Sequence, residues 1–417
     1  MNRILRYLPA LLCLVCSAAV PAAAPASLPV PPPVATADTV CVGYDAVELE
    51  EILPQELRAI CNDTLGETAQ LGVVVRDAET GSLLFSHHPH YRLRPASCQK
   101  VVTAIAALSE LGADWAVNTD LCITGEVGAD SVLHGDVYVV GRMDPLLSQG
   151  DVWRLAAALR NHGVTTIQGG LYADINHCDS APLGWGWCWD DPWGPLRALT
   201  VDGKDRFASE LVADLDQAGI VMACPVLQYR TLPAEARVVG RVQHTVAQIL
   251  PRMMKNSHNI FAESLFYQLA ALGGKPGAGR RAASARINRL IGEQTTVPGQ
   301  DYVVADGSGL SLYNYTTPDL LTQLLQYAWH TPRIRAALVP VLPVAGVDGT
   351  LKNRLRGTGA EGRILAKTGT VTGVSTLAGY ALRPDGRTLT FAIMCQGVRS
   401  AKEGKAFQDR ICQALCQ

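Results

Sequence analysis

The chain has 417 residues, 48% hydrophobic and 18% charged, with 36 basic against 38 acidic side chains. A formal net charge of −2 lacks the basic excess that a nucleic-acid surface needs to neutralise phosphates. High hydrophobicity with low net charge excludes global disorder, and at about 100–200 residues per domain the length suits two or three domains.

The N-terminus reads as a secretory signal over residues 1–24. Arg3 and Arg6 form a basic start and residues 8–15 a short apolar run. Ser17-Ala18-Ala19 and Ala22-Ala23-Ala24 then offer small residues for cleavage. Bulky Val15 before Cys16 argues against a lipoprotein. A Pro/Ala-rich linker follows over 25–44. No later run reaches the roughly 18 apolar residues of a spanning helix, so the expected mature product has no transmembrane segment and is soluble or peripheral, in the periplasm or outside the cell. Cys13 and Cys16 leave with the signal, and the remainder of the twelve cysteines suit an oxidising compartment. Cys178 and Cys188 flank a turn-rich stretch and are the expected local disulfide. No Cys-x-x-Cys survives in the mature chain, so zinc-ribbon and thioredoxin-like readings lack their motif.

A helix is expected over 45–60, then a hairpin of strands 70–77 and 83–87 around Glu79-Thr80-Gly81. Pro95 and Gly112 bracket a helix over 97–111. From 117 to about 230 short strands (133–140, 166–173) alternate with helices (152–161, 207–218). Within this stretch residues 183–193 hold four of the seven tryptophans, and the reading is a rigid loop whose indoles fill a satellite core rather than a ligand platform. Helices return over 245–254, 260–272, 283–291 and 318–329, with a breaker at 273–277. Strands at 364–367, 376–382 and 389–395 and a helix over 401–415 finish the chain. An early hairpin, late antiparallel strands and many helices give an α+β core. The expected organisation is a core over 45–116 and 236–417 with an accessory domain inserted over 117–235.

Three short motifs carry chemistry. Ser97-Cys98-Gln99-Lys100 puts a hydroxyl and an amine three residues apart on one helix face. A serine is a poor nucleophile until a neighbouring base takes its proton, and a lysine whose pKa is depressed can be that base. Ser257-His258-Asn259 offers a hydroxyl to pass a proton and an amide to orient a lysine or a substrate carbonyl. Lys367-Thr368-Gly369-Thr370 places a cation and hydroxyls on a strand edge, suited to a substrate carboxylate, with Gly369 allowing close backbone approach. Each alone is common: a helix cap, an N-cap, a turn. Their joint order Ser-x-x-Lys, Ser-x-Asn, Lys-Thr-Gly is the signature of penicillin-binding proteins and serine β-lactamases. No Gly-x-Ser-x-Gly elbow exists, which disfavours an α/β-hydrolase.

The flanking text resembles the D-alanyl-D-alanine carboxypeptidase/endopeptidase family of low-molecular-mass class C penicillin-binding proteins. The matching stretches are Arg94-Pro95-Ala96-Ser97, Gly135-Asp136-Val137-Tyr138-Val139-Val140-Gly141 with Asp144-Pro145, and Met254-Lys255-Asn256-Ser257-His258-Asn259 with Ala262-Glu263. Asp306-Gly307-Ser308-Gly309-Leu310-Ser311, Gly346-Val347-Asp348-Gly349-Thr350-Leu351 and Ala366-Lys367-Thr368-Gly369-Thr370 complete the set. The resemblance implies a penicillin-binding/serine β-lactamase-like core of antiparallel sheet with helices, carrying an accessory insertion between the first two motifs. It implies Ser97 as nucleophile, Lys100 as base, Ser257 and Asn259 as proton relay and orienting amide, and Lys367, Thr368, Gly369 and Thr370 around the substrate. The expected partners are peptidoglycan stem peptides ending in D-Ala-D-Ala, with β-lactams as covalent inhibitors, and no cofactor or metal. A serine β-lactamase and a non-catalytic peptidoglycan- or β-lactam-binding module are the alternatives. Three departures stand out: a short insertion, His258 where an acidic or amide residue is commoner, and Leu312 where the family often has arginine. The last puts diaminopimelate preference in question. Cys98 reads as a small buried packing residue beside the nucleophile.

Overall fold

The computed structural model describes residues 46–191, 194–272 and 279–417. The expected signal, the linker, Cys41, Trp193 and the 273–277 breaker lie outside the described residues.

The strand Thr388–Gln396 is β-branched and aromatic, is buried along nearly its whole length, and sits at the centre of an antiparallel five-stranded sheet. The order across this sheet is Ile364–Val371, Val374–Leu382, Thr388–Gln396, Gln70–Asp77, Leu83–His87, so the early hairpin closes onto the late strands. Its side chains alternate between two cores with period two. Leu377, Ala381, Phe391 and Ile393 join one apolar cluster with the helices Ala46–Cys61 and Ala401–Leu415. Ala378, Tyr380, Ala392 and Met394 face the other, larger cluster, made by the helices Gln99–Glu110, Val246–Lys255, Asn259–Ala271, Gly279–Gln294 and Pro318–His330. This is the expected α+β core.

The helix Gln99–Glu110 lies in the middle of the larger cluster and is buried on nearly every face, as a helix apolar all round must be. It stops at Gly112, whose φ of +87° makes the left-handed C-terminal cap that glycine adopts without strain. Around it, Thr317 caps Pro318–His330 through the Leu320 amide, and a Thr245/Gln248 capping box starts Val246–Lys255.

Strands between 116 and 245 build two further sheets around a separate apolar cluster that includes Leu121, Val139, Leu155 and Phe207. The two single strands expected over 133–140 and 166–173 are each broken in two. Val132–His134 and Thr166–Ile167 belong to a four-stranded sheet, while Val137–Val140 and Leu171–Asp174 belong to a five-stranded one. The breaks fall at Gly135 and at Gly169-Gly170. There the two chains cross between sheets so closely that a Cβ on Gly169 would lie 2.3 Å from the Gly135 carbonyl oxygen. Arg237–Thr245, not anticipated as a strand, pairs antiparallel with Ala116–Ile123.

All nine described cysteines are free, so the Cys178–Cys188 disulfide expected from the sequence is not formed. Cys178 packs against the large helical cluster, whereas Cys188 opens a turn closed by the Asp191 carboxylate on its amide. Among the described residues no helix is long and apolar enough to cross a membrane.

Candidate active site

Ser97 sits on a single 3₁₀ turn, Ala96–Cys98, at the entrance to the helix Gln99–Glu110. The turn is bent by Ala96, which takes a φ of +44°, a left-handed conformation uncommon for a residue with a Cβ. Gly309 lies against it; a Cβ there would stand 1.8 Å from the Ala96 carbonyl oxygen. Strain of this kind persists only where surrounding contacts over-determine the backbone.

One helical turn on, Lys100 is fully buried. Its Nζ lies 2.9 Å from Ser97 Oγ, 2.7 Å from Asn259 Oδ1 and 2.8 Å from the Ser308 carbonyl oxygen. As an ammonium it donates to all three. As an amine it keeps two N–H bonds for Asn259 and Ser308 and turns its lone pair to the Ser97 hydroxyl. Burial, then the nearby Lys367 cation, holds its pKa well below the ordinary lysine value, while Asp306 and Glu263 pull the other way. The amine form is therefore easier to reach than in an ordinary lysine, and an amine facing a hydroxyl can take its proton.

Ser257 occupies the corner between the helices Val246–Lys255 and Asn259–Ala271, with a φ of +59°. Its Oγ accepts from Lys367 Nζ at 2.8 Å. Lys367 is fully buried on the edge strand, also donates to the Thr368 carbonyl at 2.7 Å, and is pushed down to about 8 by burial. Gly369 packs against the turn that carries Ser97: a Cβ there would lie 2.6 Å from the Pro95 carbonyl oxygen and 3.0 Å from the Ser97 amide nitrogen. Thr370 is exposed on the same strand. Thr368 turns its hydroxyl to Thr350 at 2.7 Å.

The structure thus joins Ser97, Lys100 and Asn259 directly and Ser257 to Lys367. It also brings in groups to which the motifs gave no role. Asp306, almost fully buried, accepts from the amides of Gly309 and Ser311, from the Asn314 side chain and from Trp187 Nε1 at 2.8 Å. It folds the 306–311 loop so that the Ser308 carbonyl meets Lys100. Glu263 holds the same loop from its other side through the Gly307 and Ser308 amides, and burial with Asp306 beside it pushes its carboxyl up to about 8. Glu263 stands one helical turn after Asn259, and that i,i+4 spacing is the signal that could have found it.

The tryptophan-rich loop does not form a satellite core. Trp187 enters the main helical cluster, Trp185 meets Tyr313 at a tilt while half-exposed, and Trp189 is exposed. Leu312 presents no cation and spends its amide on the Gly186 carbonyl at 3.1 Å. His258 has its pKa lowered to about 4 by burial and then by Arg252 and Lys100, so it stays neutral across the physiological range.

The sequence profile of the D-Ala-D-Ala carboxypeptidase 3 (S13) family matches residues 53–202 and 195–417. A D-alanyl-D-alanine carboxypeptidase of Actinomadura sp. (strain R39) is 32% identical over 88% of this chain and 84% of its own length. In fold, the chain resembles penicillin binding protein 4 (dacB) from Haemophilus influenzae, with a TM-score of 0.75 at 23% identity over 88% of this chain and 98% of that one. It also resembles Bd3459, a predatory peptidoglycan endopeptidase from Bdellovibrio bacteriovorus, with a TM-score of 0.52 at 19% identity, covering 79% and 86% of the two chains.

Proposed function

The chain belongs to the D-Ala-D-Ala carboxypeptidase 3 (S13) family, and from that premise we propose how its residues carry out serine-type D-Ala-D-Ala carboxypeptidase or endopeptidase chemistry on peptidoglycan. The substrate is a stem peptide ending in D-Ala-D-Ala. Ser97 Oγ attacks the carbonyl of the penultimate D-alanine while Lys100 takes the hydroxyl proton. The oxyanion rests on the backbone N–H groups of Ser97 and Thr370; the close approach of Gly369 to the Ser97 amide supports that pairing. The Lys367 ammonium and the Thr370 hydroxyl hold the terminal carboxylate. Ser257 passes a proton to the departing amine, with Asn259 fixing Lys100 and the substrate amide. Water then hydrolyses the ester. A β-lactam follows the same first step, but its leaving group stays tethered and the acyl-enzyme persists. The basic, apolar and small-residue order of residues 1–24 supports export to an extracytoplasmic compartment.

The observation that carries this reading is the buried Lys100 side chain, its Nζ 2.9 Å from Ser97 Oγ and anchored on Asn259 and Ser308. The test is intact-mass analysis of the mature protein with benzylpenicillin over time, beside Ser97→Ala. The expected result is a long-lived adduct of one penicillin, absent from the variant. Rapid loss of the adduct with excess penicillin hydrolysed would instead identify a β-lactamase. No adduct at all would leave a binding module.

A further inference from the structure

The glycine of Lys-Thr-Gly does more than admit a substrate backbone. Across the sheet, Gly369 is paired with Thr376 on the strand Val374–Leu382. A Cβ on Gly369 would lie 2.1 Å from Thr376 Oγ1, so the missing side chain is a gap through which this hydroxyl reaches past the edge strand to the nucleophile turn. There Thr376 Oγ1 donates to the Pro95 carbonyl at 2.7 Å. Its other neighbour is Cys98 Sγ at 3.2 Å; with one proton to give, the hydroxyl favours the carbonyl over the weaker thiol acceptor. The Cys98 thiol in turn donates to the Lys367 carbonyl at 3.1 Å. Thr376 and Cys98 are both buried.

Ser97 is therefore tied on both sides to different strands: Pro95 before it to Val374–Leu382, Cys98 after it to Ile364–Val371. Between the two ties lies Ala96, the residue bent into the left-handed region. Such a turn relaxes when a tie is cut, and relaxation moves both Ser97 Oγ and the Ser97 amide relative to the edge strand.

We infer that Thr376 is a positioning residue for acylation, its hydroxyl holding the strained nucleophile turn against the Lys-Thr-Gly strand so that the Ser97 amide and the Thr370 amide converge on one oxyanion. The inference rests on the acyl-enzyme reading above. Thr376 touches no reacting atom; it acts through Pro95 and Ala96. Misplacing a reacting group by about 1 Å costs on the order of 10²-fold in rate, which sets the scale expected here.

The test compares Thr376→Val, which keeps the shape and removes the hydroxyl, with Thr376→Ser, which keeps the hydroxyl. Benzylpenicillin acylation is followed by rapid-quench intact mass, separating the acylation rate constant from the affinity of the initial complex, and each variant is melted. Thr376→Val should acylate about 10–100-fold more slowly with initial affinity within about twofold of wild type, while Thr376→Ser stays close to wild type. Acylation by Thr376→Val at the wild-type rate, an equal loss in both variants, or a loss confined to initial affinity would overturn the inference. Should Thr376→Val fail to fold, Thr376→Ala takes its place. Failure of both to fold while Thr376→Ser folds would assign the hydroxyl to the fold as a whole and equally overturn it. Wild-type protein that forms no adduct would instead refute the acyl-enzyme reading.

Discussion

Asp120, on the mixed sheet of the 116–245 region, and Lys100, beside Ser97, are both almost completely withdrawn from water, at 2% and 0% exposed. Burial leads them to opposite ends. Asp120 is pushed up by burial, but hydrogen bonds from Arg241 at 2.5 Å and Arg142 at 2.6 Å more than offset this, leaving its carboxyl below the usual range and fixed as an anion. Lys100 meets a second buried cation, Lys367, and neutral acceptors in Ser97, Asn259 and Ser308, so its proton is held loosely. The same desolvation makes a structural ion pair where full counter-charges stand at hydrogen-bond distance. It loosens the proton of an amine where they do not, as the proposed base requires. Glu263 and Asp306 show how finely this is set: both carboxyl groups lie near Lys100, yet their hydrogen bonds go to loop amides, Asn314 and Trp187 rather than to the amine.

The sharpest way to break this contrast is Lys100→Met, which keeps the bulk and removes the base. Benzylpenicillin acylation should fall by about 10²–10⁴-fold, read by intact mass against time, with a lowered melting temperature, because the buried acceptors of Asn259 and Ser308 lose their donor. Near-wild-type acylation in that variant would place the base elsewhere.

Trp187→Phe asks how far the 116–245 region reaches into the site. It retains most of the buried ring but deprives Asp306 of one donor. Hydrogen bonds to charged groups contribute about 1.5–3 kcal/mol, and a loss of that size is expected in denaturant unfolding, with slower acylation because the loop carrying the Ser308 carbonyl is loosened. Unchanged stability would show that the indole N–H adds nothing to the loop.

The smallest effect is expected for Asp120→Asn. The guanidinium groups it frees are one-third to one-half exposed and can turn to water, so the cost should be near the low end of an unsatisfied polar group, about 1 kcal/mol. Acylation should stay within about twofold of wild type, because nothing in that pair touches the site. A large loss of acylation would mean that the two regions are coupled through the sheet.

Much of this was legible in the sequence because it is local. Residues 70–77, 83–87 and 401–415 form the elements their patterns announce, and Ser97 and Lys100 share a helix face because three residues separate them. What was hidden depends on long-range packing. Nothing in Leu183 to Asp191 announces that one indole crosses 119 positions to reach Asp306. Gly135 and Gly169 fall inside the strands expected over 133–140 and 166–173, and only the close crossing of the two segments shows why no side chain fits there. Arg237–Thr245 alternates only weakly in sequence, and much of it is exposed although it pairs along Ala116–Ile123 with one break in register between Val238 and Gly240. Cys178 and Cys188 were near in sequence, but the fold draws one into the helical core and the other into a surface turn.

Lys100 acts as the base only if its amine forms more readily than that of an ordinary lysine, and the pH dependence of the benzylpenicillin acylation rate, from pH 5 to 10, tests this most directly. Lys100, held well below the usual lysine value, should reach its amine form at lower pH than an ordinary lysine, so the rate should stop rising well before pH 10. It should decline above about pH 8, where Lys367 sheds the proton that serves the substrate carboxylate. A rate that instead climbs about tenfold per pH unit from 7 to 10 would mean that Lys100 keeps an ordinary pKa, and would contradict the account.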